Sequence, residues 1–265
     1  MVARTLVLDA RFDPVPDDTE ETLVGASPHQ DAIYILYDGL LACGPDSGLP
    51  WFVGNQLTMI IPRGGGRPSY QPSPDILVHP TLTQSDRSSL DVGRDGPPVL
   101  IIEVASPATA RERDLNPAAK PGIYAAINVL EYLVFDPQEQ FIPGLVWARR
   151  LGPNGYDLWL PSALGRWESA ALGISFQLIG SRLRIYDQQG RLVPTRRERS
   201  AENLRLREDN NHLASEHSRL VDQNGRLVGD RSRLADELAT QQRLLDEERR
   251  ARAALEAQLR QLRGE

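Results

Sequence analysis

Val99-Leu100-Ile101-Ile102-Glu103-Val104 is the most hydrophobic run in the chain, and a single acid interrupts it. Six residues with neither helical spacing nor polar alternation predict a strand buried on both faces of a sheet. The surrounding sequence offers neighbours for it. Strand-like pieces lie at Trp51–Val53 and Gln56–Ile61, interrupted by Gly54-Asn55, and at Asp75–Val78, where Pro80 stops the run. More follow at Glu131–Phe135, Leu145–Arg149, Tyr156–Leu160 and Arg182–Tyr186, separated by Gly, Pro and Asn turns. Ile33, Leu36, Tyr37 and Leu40 recur at helical spacing and predict a helix over His29–Leu41. A second helix is predicted over Pro121–Val129, since proline is tolerated only at a helix start. Arg63–Pro74 and Thr81–Pro98 read as polar loops. The expectation is an α/β (α+β) domain on one mixed central sheet flanked by helices.

The composition changes abruptly near Pro194. Residues 1–195 carry 15 Lys+Arg against 22 Asp+Glu, a net of −7, whereas residues 196–265 carry 15 against 14 and lack aromatics and proline. We read three parts: a loosely ordered acidic arm over residues 1–27, a globular domain over 28–194 and a helical tail over 195–265. The acidic body argues against broad nonspecific binding to nucleic acid, which needs an extended basic footprint. It leaves a nuclease open, because metal-binding carboxylates are themselves acidic. Cys43 is alone, so intrachain disulfides and cysteine-rich zinc sites are excluded. No basic-then-apolar leader and no membrane-spanning apolar run is evident, so a cytoplasmic protein with no membrane partner is expected.

In the tail, Leu206, Leu213, Leu220, Leu227 and Leu234 repeat every seven residues, and the frame resumes at Leu255 and Leu262. With these at d, Asn203, Asn210, His217, Asn224 and Arg231 fall at a, followed by Leu238, Leu245 and Leu259. Leucine at d with asparagine at a favours a parallel, in-register dimer, a leucine-zipper-like coiled coil. Gln241 and Glu248 at d weaken the seam, and Gly225 and Gly229 each cost about 1 kcal/mol relative to Ala. Arg196–Arg199 ahead of the zipper is too diluted by Glu198, Glu202, Glu208 and Asp209 for a basic-zipper DNA reader.

Two carboxylates stand in apolar strands. Asp75 opens Ile76-Leu77-Val78, and Glu103 lies inside the run quoted first. A buried lone carboxylate is costly unless paired or bound to a cation, and two brought together repel. A hard divalent cation relieves that repulsion. The plainer reading has Asp75 capping a turn and Glu103 pairing with an arginine; spacing alone favours neither. Lys120 is the one lysine among 30 basic residues, kept where the chain otherwise uses Arg, and the two differ where a compact point charge is needed.

Pro74-Asp75, then Ile102-Glu103-Val104-Ala105-Ser106-Pro107-Ala108-Thr109, then Asp114, Lys120 and Tyr124, then Leu130-Glu131-Tyr132-Leu133-Val134-Phe135-Asp136-Pro137 resembles a large bacterial family of restriction-endonuclease-like proteins. That family lies within the PD-(D/E)XK nuclease superfamily. The similarity runs from about His29 to Asp187, and charged coiled-coil tails occur in the family. The resemblance implies a PD-(D/E)XK nuclease-like mixed sheet and one Mg²⁺ (or Mn²⁺) ion held by Asp75, Glu103 and the main-chain carbonyl of Val104. It implies that Lys120 sits beside the scissile phosphate, and that the partner is nucleic acid, DNA first. The chain departs from the superfamily pattern in having Ala105 where the lysine usually stands, so Lys120 would supply the ammonium from the following helix. Asp114 and Ser106 are either partners of that site or ordinary turn residues. Tyr124 and Tyr132 read as packing residues, as do Trp147, Trp159 and Trp167.

His29, His79, His212 and His217 show no metal-ligand spacing, and His79 reads as a loop residue. Gly64-Gly65-Gly66 between Arg63 and Arg67 reads as a surface loop. Two functions from different classes follow: a metal-dependent endonuclease dimerised by its tail, or a catalytically inactive nuclease-like scaffold that assembles partners through its coil.

Overall fold

The computed structural model describes residues 27–83 and 85–263, and the acidic arm expected over 1–27 lies outside them except for Ser27. The chain divides into two compact units, the first ending at Arg199 and the second being Ser200–Glu265. In order, the elements are α1 (Pro28–Cys43), β1 (Phe52–Asn55), β2 (Thr58–Ile60), β3 (Ile76–His79), β4 (Ser89–Asp91), the single turn α2 (Val92–Asp95) and β5 (Leu100–Val104). A π-helical turn (Ala110–Asp114) and α3 (Lys120–Ala126) follow. Then come β6 (Glu131–Phe135), β7 (Val146–Gly152), β8 (Gly155–Leu158), β9 (Arg166–Glu168), β10 (Ser175–Ile179), β11 (Arg182–Tyr186) and α4 (Arg196–Arg263).

The central sheet has six strands in the order β1-β3-β5-β6-β7-β8. It is mixed: β5 and β6 run parallel and the remaining pairs antiparallel. The apolar run quoted above is β5, in the middle of this sheet, with all five residues buried. Alternate residues feed two cores. Leu100, Ile102 and Val104 join Ile33, Leu36 and Leu40 of α1 and Phe176, Leu183 and Ile185 of β10 and β11. On the other face Ile101 joins Leu77, Met59, Leu90, Tyr124 and Tyr132. The sheet is therefore covered on one side by α1 and the three-stranded sheet β11-β10-β9, and on the other by α3 and the parallel pair β2-β4.

Several expectations need correction. Gly54 and Asn55 belong to β1; the break comes at Gln56, at φ 48°. Thr81–Pro98 is not all loop: Leu90 and Val92 are buried, and the Asp91 carboxylate accepts from the N–H groups of Gly93 and Arg94 to start α2. The strands β9 and β10 lie outside the expected strands: Arg166-Trp167-Glu168 is too short and too polar to show alternation, whereas Ser175-Phe176-Gln177-Leu178 of β10 does alternate. Among the described residues there are three sheets rather than one, the six-stranded central sheet, β11-β10-β9 and β2-β4. His79 lies buried in β3, with its Nε2 3.0 Å from the Asp95 carbonyl, and is no loop residue.

In the second unit α4 continues as one helix, and Leu206, Leu213, Leu220, Leu227 and Leu234 are each half or more exposed along it. The side chain of Leu262, which continues the frame, lies outside the described residues.

Candidate active site

The register of β3 on β5 positions the two carboxylates. Ile76 pairs with Ile102 in the antiparallel ladder, so one step further sets Asp75 opposite Glu103. The ends are cross-linked by side chains: the Asp75 amide donates to Glu103 Oε2 at 3.3 Å, and the Val104 amide donates to Asp75 Oδ2 at 2.7 Å. Both acids are buried. Neither plainer reading of them holds in full, since Asp75 receives the amide of a neighbouring strand and Glu103 pairs with the lysine.

Lys120 arrives from the start of α3, which Pro121 fixes as a helix beginning. Its Nζ lies 3.2 Å from Glu103 Oε1 and 2.9 Å from Asp114 Oδ1. Asp114 is delivered by the π-helical turn, whose wider winding shows in the Asp114 amide bonding back to Thr109 O and the Leu115 amide to Ala110 O. The Tyr124 hydroxyl, one helical turn beyond Lys120, donates to Glu103 Oε1 at 3.2 Å, and the Tyr132 hydroxyl donates to the Asp114 carbonyl at 2.9 Å. Both tyrosines pack as expected, edge to face at 5.5 Å between ring centroids, but each hydroxyl also holds a site residue. Ser106 instead bonds Thr109 within its own turn. Asp136 accepts the amides of Phe141 and Ile142, so this part of the motif shapes a loop.

Three carboxylates and one ammonium share this buried cluster. Burial, with Asp114 and Asp75 adding to it, pushes the Glu103 carboxyl up to about 8 against the pull of Lys120. Burial alone would lower the Lys120 ammonium, but Glu103 and Asp114 more than offset it and hold it above its ordinary value. Tyr124 is raised by burial and then by Glu103, so its hydroxyl keeps its proton.

One residue of this cluster escaped the sequence reading. His29 stands in the first turn of α1, where Ser27 caps the helix and Pro28 opens it. Its Nε2–H donates to the Val104 carbonyl at 3.0 Å and lies 3.9 Å from Asp75 Oδ2. The helical spacing of the apolar residues placed His29 at a helix start, but nothing local told that this turn meets the end of β5.

The donor chemistry suits a hard divalent cation: two carboxylates and a main-chain carbonyl are oxygen ligands, and three carboxylates stand in the cluster against the one ammonium of Lys120, an imbalance such an ion would relieve. Among the described residues, no group of three or more His, Cys, Asp or Glu is arranged to hold a metal ion, so the carbonyl is needed to complete such a set.

A β5 acid, a facing acid at the mouth of β3 and a lysine from the next helix, on a mixed sheet, make a nuclease-like fold. Residues 19–147 match the model of a family described as "Putative restriction endonuclease", a stretch that contains every residue of the cluster above. The resemblance to a restriction-endonuclease-like family is shown over that stretch. No curated protein matches the chain. Among the described residues, no helix is long and apolar enough to cross a membrane.

Proposed function

We propose that the protein is a Mg²⁺-dependent endonuclease (Mn²⁺ serving equally) that hydrolyses phosphodiester bonds of nucleic acid, DNA in the first place, as a dimer joined by its C-terminal coil. The observation that carries this reading is the meeting of Asp75, Glu103 and Lys120, which come from separate elements across 45 residues of sequence yet join through contacts of 3.2–3.3 Å. A fold without chemistry to perform has little reason to bury three carboxylates around one ammonium. Asp75, Glu103 and the Val104 carbonyl would hold the cation, which when bound polarises the phosphoryl group. Lys120 orients the attacking water and offsets the charge that develops on the phosphoryl oxygens. Asp114 and Tyr124 keep the ammonium and the Glu103 carboxyl aimed.

The test is cleavage of plasmid DNA with Mg²⁺ or Mn²⁺, beside Asp75→Asn, Glu103→Gln and Lys120→Gln, each checked for folding by circular dichroism. Each variant should lose about 100-fold or more of the wild-type rate. Equal cutting by wild type and all three would remove the enzyme. A second reading, the inactive scaffold, draws on the Lys120 ammonium being already engaged by two carboxylates. It expects no cutting with either ion from a fully folded wild type.

A further inference from the structure

Tyr70 is a buried phenol that the proposed chemistry does not yet use. It sits on a hairpin arm that leads into Asp75. The Met59 amide donates to the Pro72 carbonyl at 2.8 Å, Ile61 and Tyr70 exchange both backbone bonds at 2.8 and 2.9 Å, and the Gln56 amide donates to the Asp75 carbonyl at 3.0 Å. The arm therefore has a fixed register. On its returning side Tyr70, Pro72 and Pro74 are buried while Gln71 and Ser73 are exposed, the alternation of an extended chain with one face inward. Tyr70 thus enters the second core, which it shares with Tyr124 and with Ala110 at the head of the π-helical turn. Only 8% of the residue is exposed. Among the described residues its hydrogen bonds are the two backbone ones to Ile61, and its hydroxyl has no partner. The hydroxyls of Tyr124, Tyr132 and Tyr156 in the same core are all bonded, as buried phenols normally are.

Lys120, Glu103 and Asp114 all act on this hydroxyl, Lys120 the most strongly of the three. Burial outweighs the pull of Lys120 and keeps the phenol above its ordinary value, so it remains a hydrogen-bond donor at neutral pH. What the phenol lacks is an acceptor, and an acceptor that docks beside an ammonium is an anion carrying several oxygens. The arm suits a polyanion: from Pro62 to Pro74 it carries Arg63 and Arg67 and no acid, in a body whose net charge is negative. Resting on the nuclease reading, we propose that Tyr70 is a substrate-contacting residue whose hydroxyl donates to a non-bridging oxygen of the scissile phosphate beside Lys120. That bond strengthens as charge builds on the phosphoryl oxygens, so it contributes more to turnover than to binding.

The experiment compares the full chain with Tyr70→Phe, which keeps the ring and its packing and deletes the one unpaired atom. Cleavage of a labelled DNA duplex with Mg²⁺ or Mn²⁺ should fall about 10–100-fold in kcat/KM, most of it in kcat. The urea midpoint should stay with the wild type, because the hydroxyl holds nothing in the folded chain. A duplex with sulfur replacing one non-bridging oxygen gives a weaker acceptor. For one of the two stereochemical series, the loss from sulfur and the loss from Tyr70→Phe should be less than additive, as expected of atoms in contact. A wild type that cuts no faster than Tyr70→Phe overturns the contact and leaves the nuclease reading standing. Additive losses in both series, or a variant whose urea midpoint falls along with its rate, overturn it as well. A folded wild type that cuts with neither ion removes the nuclease reading and this contact together.

Discussion

Among single residues, Glu103 has the largest consequence for how the molecule responds to pH. Its carboxyl titrates near 4.5 in an unstructured chain and is pushed up to about 8 in the fold, by burial first and then by Asp114 and Asp75 against Lys120. Between those values the native state holds a proton that the unfolded chain has released. Stability therefore falls as pH rises from about 4.5 to about 8, the reverse of the usual behaviour of a salt-bridged acid. Glu103→Gln cannot ionise and should flatten that slope. Urea midpoints of wild type and variant from pH 5 to 9 test this: the wild type should lose stability relative to Glu103→Gln as pH climbs. Parallel curves would show that the charge on Glu103 is matched by Lys120 alone. Mg²⁺ or Mn²⁺ should reduce the wild-type loss, because a cation at the proposed site holds the ionised form. Glu103 could be read from the sequence because a charge inside an apolar strand is conspicuous. His29 could not, because an exposed-looking histidine at a helix start carries no such contrast.

At the level of elements, legibility tracked burial on two faces. The run that became β5 gave a continuous apolar signal, and α1 gave a clean stripe from Ile33 to Leu40, while β4 and β9, three residues each, are too short to show alternation. The π-helical turn was invisible for another reason: nothing in Ala110-Arg111-Glu112-Arg113-Asp114 distinguishes five-residue from four-residue hydrogen bonding. The join between α1 and β1 also depends on packing that composition does not announce. Gly44 caps α1, and a Cβ there would lie 2.2 Å from the Trp51 ring, itself buried in the first core. Gly44→Ala must displace that ring or the helix end, and should cost about 1–3 kcal/mol. In contrast, Gly225 lies inside α4 with nothing within 4 Å of an added Cβ, so Gly225→Ala should raise helix stability by about 1 kcal/mol. Thermal melts of the two variants should move in opposite directions. If Gly44→Ala melts with the wild type, the contact with Trp51 does not constrain the corner.

Over the whole molecule, the long helix is the part whose single-copy form is least satisfied. Five leucines in one heptad frame, Leu206 to Leu234, are 50–64% exposed, on a helix of 68 residues that would extend about 100 Å. An isolated helix gains nothing from keeping a leucine every seventh residue, whereas two parallel copies bury each against its equivalent. Asn203, Asn210 and Asn224 at a would pair across the same axis and hold two strands in register, which argues for a dimer over larger bundles. Sedimentation of the full chain should therefore give a dimer. Leu213→Glu with Leu220→Glu should give a monomer, and Asn210→Leu with Asn224→Leu should admit higher oligomers. A truncation test should end at Arg199 rather than Pro194. The buried Arg184 guanidinium donates to Glu198 Oε2 at 2.7 Å and to the Val193 carbonyl at 3.0 Å, and cutting before Glu198 would strip that charge of its partner and confound folding with assembly. The chain ending at Arg199 should fold and sediment as a monomer. If it remains a dimer, the pairing surface lies in the body, and the heptads of α4 serve some other contact.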